Sequence, residues 1–228
     1  MISIMHSKIY LGDWRVCSFM VGKVFKTLLV LTGRITEGAS CVAIYTRGGD
    51  QGQTQVVGSR RRFKDDARVQ ALGTIDEAGA LLGVVVSFLS DDAQNADVVG
   101  LITEIQQTMW DVGADLARVH DAHPYRTPAN AAANLEPQID RYQAVLPSLH
   151  KFIVRGGSIA GAHLHLACTV VRRAEREVVH LQHVESIHPP ALQYLNRLSD
   201  LLFVLARLVN YRAGISEVTY QHSAHVFH

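Results

Sequence analysis

The chain is poor in the residues that build stapled or metal-clipped folds. Its 228 residues contain three cysteines, Cys17, Cys41 and Cys168, an odd number without a CxxC pair. That excludes a disulfide framework and favours thiols kept in a reducing compartment. A dominant charge of one sign is also missing. The formal net charge is +1, too small to attract nucleic acid by bulk electrostatics. Long uncharged apolar runs are scarce. The best candidate for a bilayer span, Val16 to Leu31, is interrupted by Lys23 and Lys26, so no membrane crossing is expected. There is no strand-rich stretch, internal repeat or low-complexity tract, and no Gly-Lys-Ser/Thr of a Walker A loop.

What remains is apolar and helix-periodic. A hydrophobic fraction of 48% over this length supports a sizeable core, in one large domain or two small ones. Helices are expected over 66–89, 97–119, 135–149, 158–186 and 192–212. In the second, Val98, Leu101, Ile105, Met109, Val112 and Leu116 form a helix-period stripe. The first carries Val69, Leu72, Leu82 and Val86. The third carries Leu135, Ile139, Tyr142, Leu146 and Leu149, with Pro137 near its start, where proline is tolerated. Gly156-Gly157 precedes the fourth, and Pro189-Pro190 is expected to stop it. The last places Leu195, Leu198, Leu202, Leu205 and Val209 on one face, with Gly214 as its punctuation. Five helices joined by short or moderate connections imply an all-α up-and-down bundle. The connection around 120–134 is the longest; being polar and proline-bearing, it is expected on the surface or over a site.

Two stretches point to phosphate. Arg172, Arg173, Glu175 and Arg176 form a charged cluster in an apolar helical segment, with 172, 175 and 176 on one face. Arginine suits bidentate phosphate recognition. The ordinary alternative is a solvated helix face, but Asn196-Arg197-Leu198-Ser199-Asp200 on the last helix is expected to face the cluster. The second stretch runs from Thr46 to Thr54. Its three glycines permit positive φ and close backbone approach to an anion; the alternative is a plain turn. Asp76-Glu77 lies mid-helix, suited to acid–base work, to metal through phosphate, or to pairing with arginine. Twelve histidines yield no metal set. His163 and His165 fall on different faces, His180 and His183 lack a third ligand, and His222, His225 and His228 are in the tail.

Taken in order, five segments resemble the PduO-type ATP:cob(I)alamin adenosyltransferases. They are Ile44 to Thr54; Lys64-Asp65-Asp66-Ala67-Arg68-Val69 with Gly73 to Glu77; Phe152 to Gly157; Thr169 to Arg176; and Tyr194 to Asp200. The resemblance covers residues 43–228. It implies a five-helix bundle assembled as a homotrimer, with sites between subunits. ATP would be held by Thr46, Arg47, Gly49, Asp50, Gly52, Thr54 and Lys64 of one subunit, and by Arg172, Glu175, Arg176 and Asn196 of its neighbour. Mg²⁺ would bind through the ATP phosphates and Glu175, with no direct protein metal site otherwise. Phe152 would sit under the corrin ring, and Arg172, Glu175, Arg176 and Phe152 would carry the catalysis. The activity implied is transfer of the 5′-deoxyadenosyl group of ATP to cob(I)alamin. The alternative is a weakened homologue that delivers adenosylcobalamin to a client enzyme. A reductase and such a client are implied partners.

Three departures from the family pattern stand out. Cys168 occupies the place of an arginine expected to pair across the subunit interface with the aspartate matching Asp76. If Asp76 is buried and unpaired, that loss costs about 3–5 kcal/mol. Arg155 replaces the proline of the turn. Gly79 sits inside a helix, at a cost of about 1 kcal/mol relative to alanine. Residues 1–42 lie outside the resemblance. They carry Lys8, Arg15, Lys23, Lys26 and Arg34 against Asp13 and Glu37, a bias seen in organelle presequences, though an ill-ordered leader or an extension from an early start codon has the same look. The cytoplasm is the expected location, or the mitochondrial matrix if 1–40 is a presequence.

Overall fold

The computed structural model describes residues 44–58, 61–119 and 124–224. Cys17, Cys41 and the expected extension over 1–42 lie outside the described residues, as do residues 120–123 and His225 to His228. The chain divides into two units, 1–53 and 54–228. Of the first, the described part is a run of turns, with Asp50 N–H donating to Arg47 O (3.3 Å) and Gly52 N–H to Gly49 O (3.1 Å).

The second unit is the expected bundle. Its helices are α1 (Ala67–Leu89), α2 (Ala96–Leu116), α3 (Glu136–Gln143), α4 (Ile159–Val184) and α5 (Pro189–Arg212). Two-residue strands β1 (Gln53–Thr54) and β2 (Arg62–Phe63) add a small ladder that sequence periodicity gave no hint of. α1 packs against α2 and α4, and α5 packs against α4, α3 and α2.

The helix ends follow local chemistry. Asp66 caps α1 by accepting from Arg68 N–H at 2.9 Å, and Ser158 caps α4 by accepting from Gly161 N–H at 3.0 Å. α5 ends in a Schellman motif: Gly214, at φ 69°, donates to Tyr211 O (3.0 Å) and Ile215 to Asn210 O (2.9 Å).

Four boundaries differ from expectation, the first being that α2 ends at Leu116 rather than continuing to Val119. α3 stops at Gln143 rather than continuing to Leu149, because Pro147 cannot continue a helix and disfavours helical backbone just before it. α4 ends at Val184, ahead of the prolines, and Pro189-Pro190 instead open α5, three residues earlier than its apolar stripe suggested. The core face of α1 is Ala71, Ile75, Ala78, Leu82, Val85 and Leu89. Val69, Leu72 and Val86 are only half-buried, since small Ala71 and Ala78 let α4 approach closely and claim the inner face. In α2 Ile102 is fully buried where Leu101 was expected. By length and composition α1, rather than residues 16–31, is apolar enough to cross a bilayer; here its apolar stripe is consumed in the bundle core.

Candidate active site: an open arginine face on α4

α4 presents the charged cluster at its middle. Arg172, Arg173 and Arg176 are all exposed, while Glu175 is half-buried. The cluster therefore lies on a solvated helix face, with Glu175 alone partly covered. The backbone ladder of α4 fixes the spacing, and Arg176 Nη1 donates to Arg172 O at 3.1 Å. Glu175 turns toward α5, where Asn196 Nδ2 donates to its Oε1 at 2.8 Å. Arg172 Nε reaches Ser199 Oγ at 3.5 Å. The Asn196–Asp200 stretch thus faces the cluster, as its sequence position implied.

The four charges have different fates. Arg173 pairs with Glu77 of α1, which settles Glu77 as an arginine partner. Among the described residues, Arg172 and Arg176 have no carboxylate within ion-pair distance, whereas Arg62, Arg68, Arg197, Arg207 and Arg212 all have one. Two guanidinium groups one helical turn apart, both solvent-facing and neither neutralised, form a site for a polyanion.

Phe152 begins the turn into α4. Its side chain is 54% exposed, and its backbone is pinned: Tyr220 N–H donates to its carbonyl at 2.8 Å, and its N–H donates to Ser223 Oγ at 2.9 Å. The far end of the turn is held by Asn210 of α5, which donates to Gly156 O (2.8 Å) and accepts from Ser158 N–H (2.9 Å). Asn210 lies so close that a Cβ on Gly157 would stand 2.3 Å from it, and one on Gly161 2.1 Å. Gly157 also adopts φ 108°, so glycine is required there both by conformation and by space. Arg155, in place of the family's proline, is exposed.

Lys64 is exposed in the turn between β2 and α1, and Thr54 is half-buried in β1. In the first unit, positive φ occurs at Arg47 (57°) and Gly52 (75°), so the strained position is an arginine rather than Gly48 or Gly49. Non-glycine residues in that region concentrate at ligand-binding turns. Gly48 N–H points at Thr46 Oγ1 (3.4 Å), the guanidinium of Arg47 lies 5.7 Å from the Tyr45 ring centre, and Asp50 is exposed.

Cys168 and Asp76 were expected at a subunit interface. Cys168 is buried within its own bundle, 1% exposed, and its thiol donates to Ser199 O at 3.2 Å; burial pushes the thiol pKa up. Asp76 is exposed on α1, although crowding of its carboxylate raises its pKa. The penalty for a buried, unpaired Asp76 therefore does not arise within one subunit.

For several important residues no signal of burial or of a partner stood in the sequence, even where, as with Arg68, the residue lies in a motif of the resemblance. Arg68 is fully buried at 1% exposure, with Glu185 as its ion-pair partner. Asp115, also buried, accepts from the N–H groups of Arg126 and Thr127 at 2.7–3.0 Å, and Tyr125 stacks on His188 at 3.9 Å. The described part of the long connection thus lies on the surface, as expected, and is pinned there to the bundle. A partner three-dimensionally adjacent but 117 residues away, as Glu185 is from Arg68, leaves no local pattern to find.

The bundle thus offers two separate surfaces: an open arginine pair suited to a polyanion on the middle of α4, and the exposed aromatic Phe152 before the N-terminus of the same helix, about 20 Å along its axis from Arg172. The family model described as "Cobalamin adenosyltransferase" matches residues 44–209. The corrinoid adenosyltransferase of Bacillus subtilis is 45% identical over 184 residues, 81% of this chain and 95% of that protein. The human corrinoid adenosyltransferase is 36% identical over 78% of this chain and 72% of its own length. A variant of the PduO-type ATP:corrinoid adenosyltransferase from Lactobacillus reuteri, solved with cobalamin and ATP, superposes with a TM-score of 0.77 at 37% identity, covering 81% of this chain and all of that one. The chain belongs to the cobalamin adenosyltransferase family.

Proposed function

We propose that the chain transfers the 5′-deoxyadenosyl group of ATP to cob(I)alamin, giving adenosylcobalamin and triphosphate. The observation that carries this reading is the carboxylate-free pair Arg172 and Arg176, held on α4 beside Glu175 and Asn196. Cob(I)alamin is itself a strong nucleophile, so the protein needs no nucleophilic triad. Cobalt attacks C5′ of ATP, the Co–C bond forms as the C5′–O bond breaks, and the electron pair leaves with the triphosphate. The protein's tasks are alignment and stabilisation of that departing charge. Arg172 and Arg176 supply the positive charge. Thr46, Arg47, Gly49, Asp50, Gly52, Thr54 and Lys64 of a neighbouring subunit would contribute the rest of the ATP cradle.

Glu175 offers a hard oxygen donor: Asn196 occupies Oε1 and leaves Oε2 available. One carboxylate together with substrate phosphates suits Mg²⁺, which keeps most of its waters. The cation would neutralise phosphate charge. Phe152, open to solvent on a pinned backbone, would cover the lower face of the corrin and exclude an axial ligand there, which makes Co(II) easier to reduce.

A homotrimer belongs to the same reading. Val84, Phe88, Ile159 and Leu166 leave an exposed apolar strip along α1 and α4, next to Asp76 and the Glu77–Arg173 pair, and such a strip calls for a partner. Light scattering at three times the chain mass is the expected result. A reductase supplying Co(II) reduction and a client accepting adenosylcobalamin complete the scheme, in the cytoplasm, or in the mitochondrial matrix should residues 1–40 act as a presequence.

The test is an anaerobic assay with chemically reduced cobalamin, ATP and Mg²⁺, following the cobalt–carbon bond by absorbance. Turnover is expected. Binding of both substrates without turnover would support the delivery role instead, and binding of neither would defeat both.

A further inference from the structure

The turn that carries Lys64 is locked by a side chain from the opposite end of the sequence. Arg62 on β2 and Arg68 on the first turn of α1 bracket Lys64. Glu185, which caps the C-terminus of α4, takes both: Arg62 Nη2 donates to its Oε2 at 3.1 Å, and Arg68 Nη2 to the same oxygen at 2.9 Å. Arg62 Nη1 reaches Glu185 Oε1 as well. Asp66 closes the ring from within the turn, accepting from Arg62 Nη1 at 3.1–3.2 Å and from Arg68 N–H at 2.9 Å. Asp66 N–H in turn donates to Phe63 O at 3.1 Å.

Arg68 anchors this ring in the bundle. It is buried, and its Nη1 donates to Arg118 O (2.6 Å) and to Leu116 O at the end of α2, while Nη2 also reaches Ser186 O (3.3 Å). A cation over the last carbonyls of α2 satisfies helix-end acceptors. One carboxylate thus ties together the ends of three helices, and the part left projecting into solvent is Phe63-Lys64-Asp65, all exposed.

We infer that Glu185 is a positioning residue for ATP: through Arg62 and Arg68 it holds the 62–68 turn so that Lys64 meets the nucleotide already placed. The inference rests on the reading of Lys64 as an ATP ligand. An anchored turn spares the ordering cost that a mobile lysine loses on binding a phosphate. The two guanidinium groups hold the Glu185 carboxyl below its ordinary pKa, Arg62 contributing most.

Glu185→Gln strips the charge partner from buried Arg68 and risks unfolding, so the decisive variant is Arg62→Met, which cuts the arm to the turn and leaves Arg68–Glu185 intact. It is compared with Lys64→Ala, Arg62→Lys and the unaltered full-length chain in the cob(I)alamin assay, with ATP and corrinoid varied in turn and thermal melting recorded. Lys64→Ala and Arg62→Met are each expected to raise KM for ATP by about fivefold or more, with KM for cobalamin and kcat within about twofold, and Arg62→Lys to recover part of the loss. A purely structural role would lower Tm and the active fraction without moving KM for ATP. An unchanged KM for ATP in Arg62→Met, with Lys64→Ala impaired, would overturn the positioning role and leave the ATP reading standing. An unchanged KM in Lys64→Ala would remove the ATP role of Lys64, and the inference with it.

Discussion

Arginine serves two opposite purposes in this molecule. At the bundle ends Arg68, Arg207 and Arg212 are buried or half-buried and paired: Arg68 with Glu185, Arg207 with Glu217, Arg212 with Asp97. On the middle of α4, Arg172 and Arg176 are exposed, and among the described residues no carboxylate neutralises them. The side chain is the same, and the difference lies in the carboxylates placed around it. Where the chain supplies an acid, the guanidinium holds helices together; at Arg172 and Arg176, one turn apart on the same face, the positive charge stays open to solvent.

The comparison can be broken most severely at the paired end. Arg68→Met leaves the carbonyls of Leu116 and Arg118 without this donor and Glu185 with Arg62 alone, and is expected to cost about 3–5 kcal/mol, since each buried acceptor left unsatisfied costs about 1–3 kcal/mol, seen as a large fall in urea midpoint. Arg172→Ala should do the reverse. It should leave the urea midpoint within about 0.5 kcal/mol of the parent, as surface changes do, and lower kcat by about 10²–10³, the usual effect of removing one charge-stabilising donor. Equal stability loss in both variants would erase the distinction.

Smaller effects sharpen it. Gly161→Ala forces a methyl group against Asn210 and should cost about 1–3 kcal/mol by overpacking, loosening the turn that carries Phe152. Thermal melting checks the stability, and cob(II)alamin reduction checks the turn. Asp97 tests the paired end by pH. Its hydrogen bonds from Arg212, with a smaller contribution from Tyr142, bring its pKa from 3.8 to about 2. A depressed acid stabilises the fold above its unfolded pKa and loses that contribution as pH falls through the folded value. A loss of about 1–2 kcal/mol, after allowance for solvent screening, is expected between about pH 4 and pH 2 and should vanish in Asp97→Asn. The smallest effect is a gain: a Cβ at Gly79 meets nothing within 4 Å, so Gly79→Ala should stabilise α1 by about 0.5–1 kcal/mol with activity unchanged.

Helix count and the stop at Gly214 were legible because they are local, and the caps Asp66 and Ser158, which stood in the sequence as the first residues of their helices, are local too. Asp66, Ser158 and Gly214 each act within four residues of themselves, and the stripes of α2 and α5 repeat at the helix period. Stripes were misplaced where partner size decided the close face, as with Ala71 and Ala78 on α1. The arginine cluster was legible as a motif, with a solvated face standing as the ordinary alternative. The helix turned the neighbouring apolar residues inward and the charges out.

The order of motifs along the chain determined the family, and with it the expected chemistry, because each motif is a local cluster of residue types. Only the tertiary structure decided which charges remain open. Whether Arg172 is unneutralised, or Cys168 points into its own core, depends on which side chains from distant segments arrive beside it. That Glu185 clamps the Lys64 turn depends on α1 and α4 packing with one's end beside the other's start. Such meetings arise from helix packing across more than a hundred residues, and no spacing in the sequence records them.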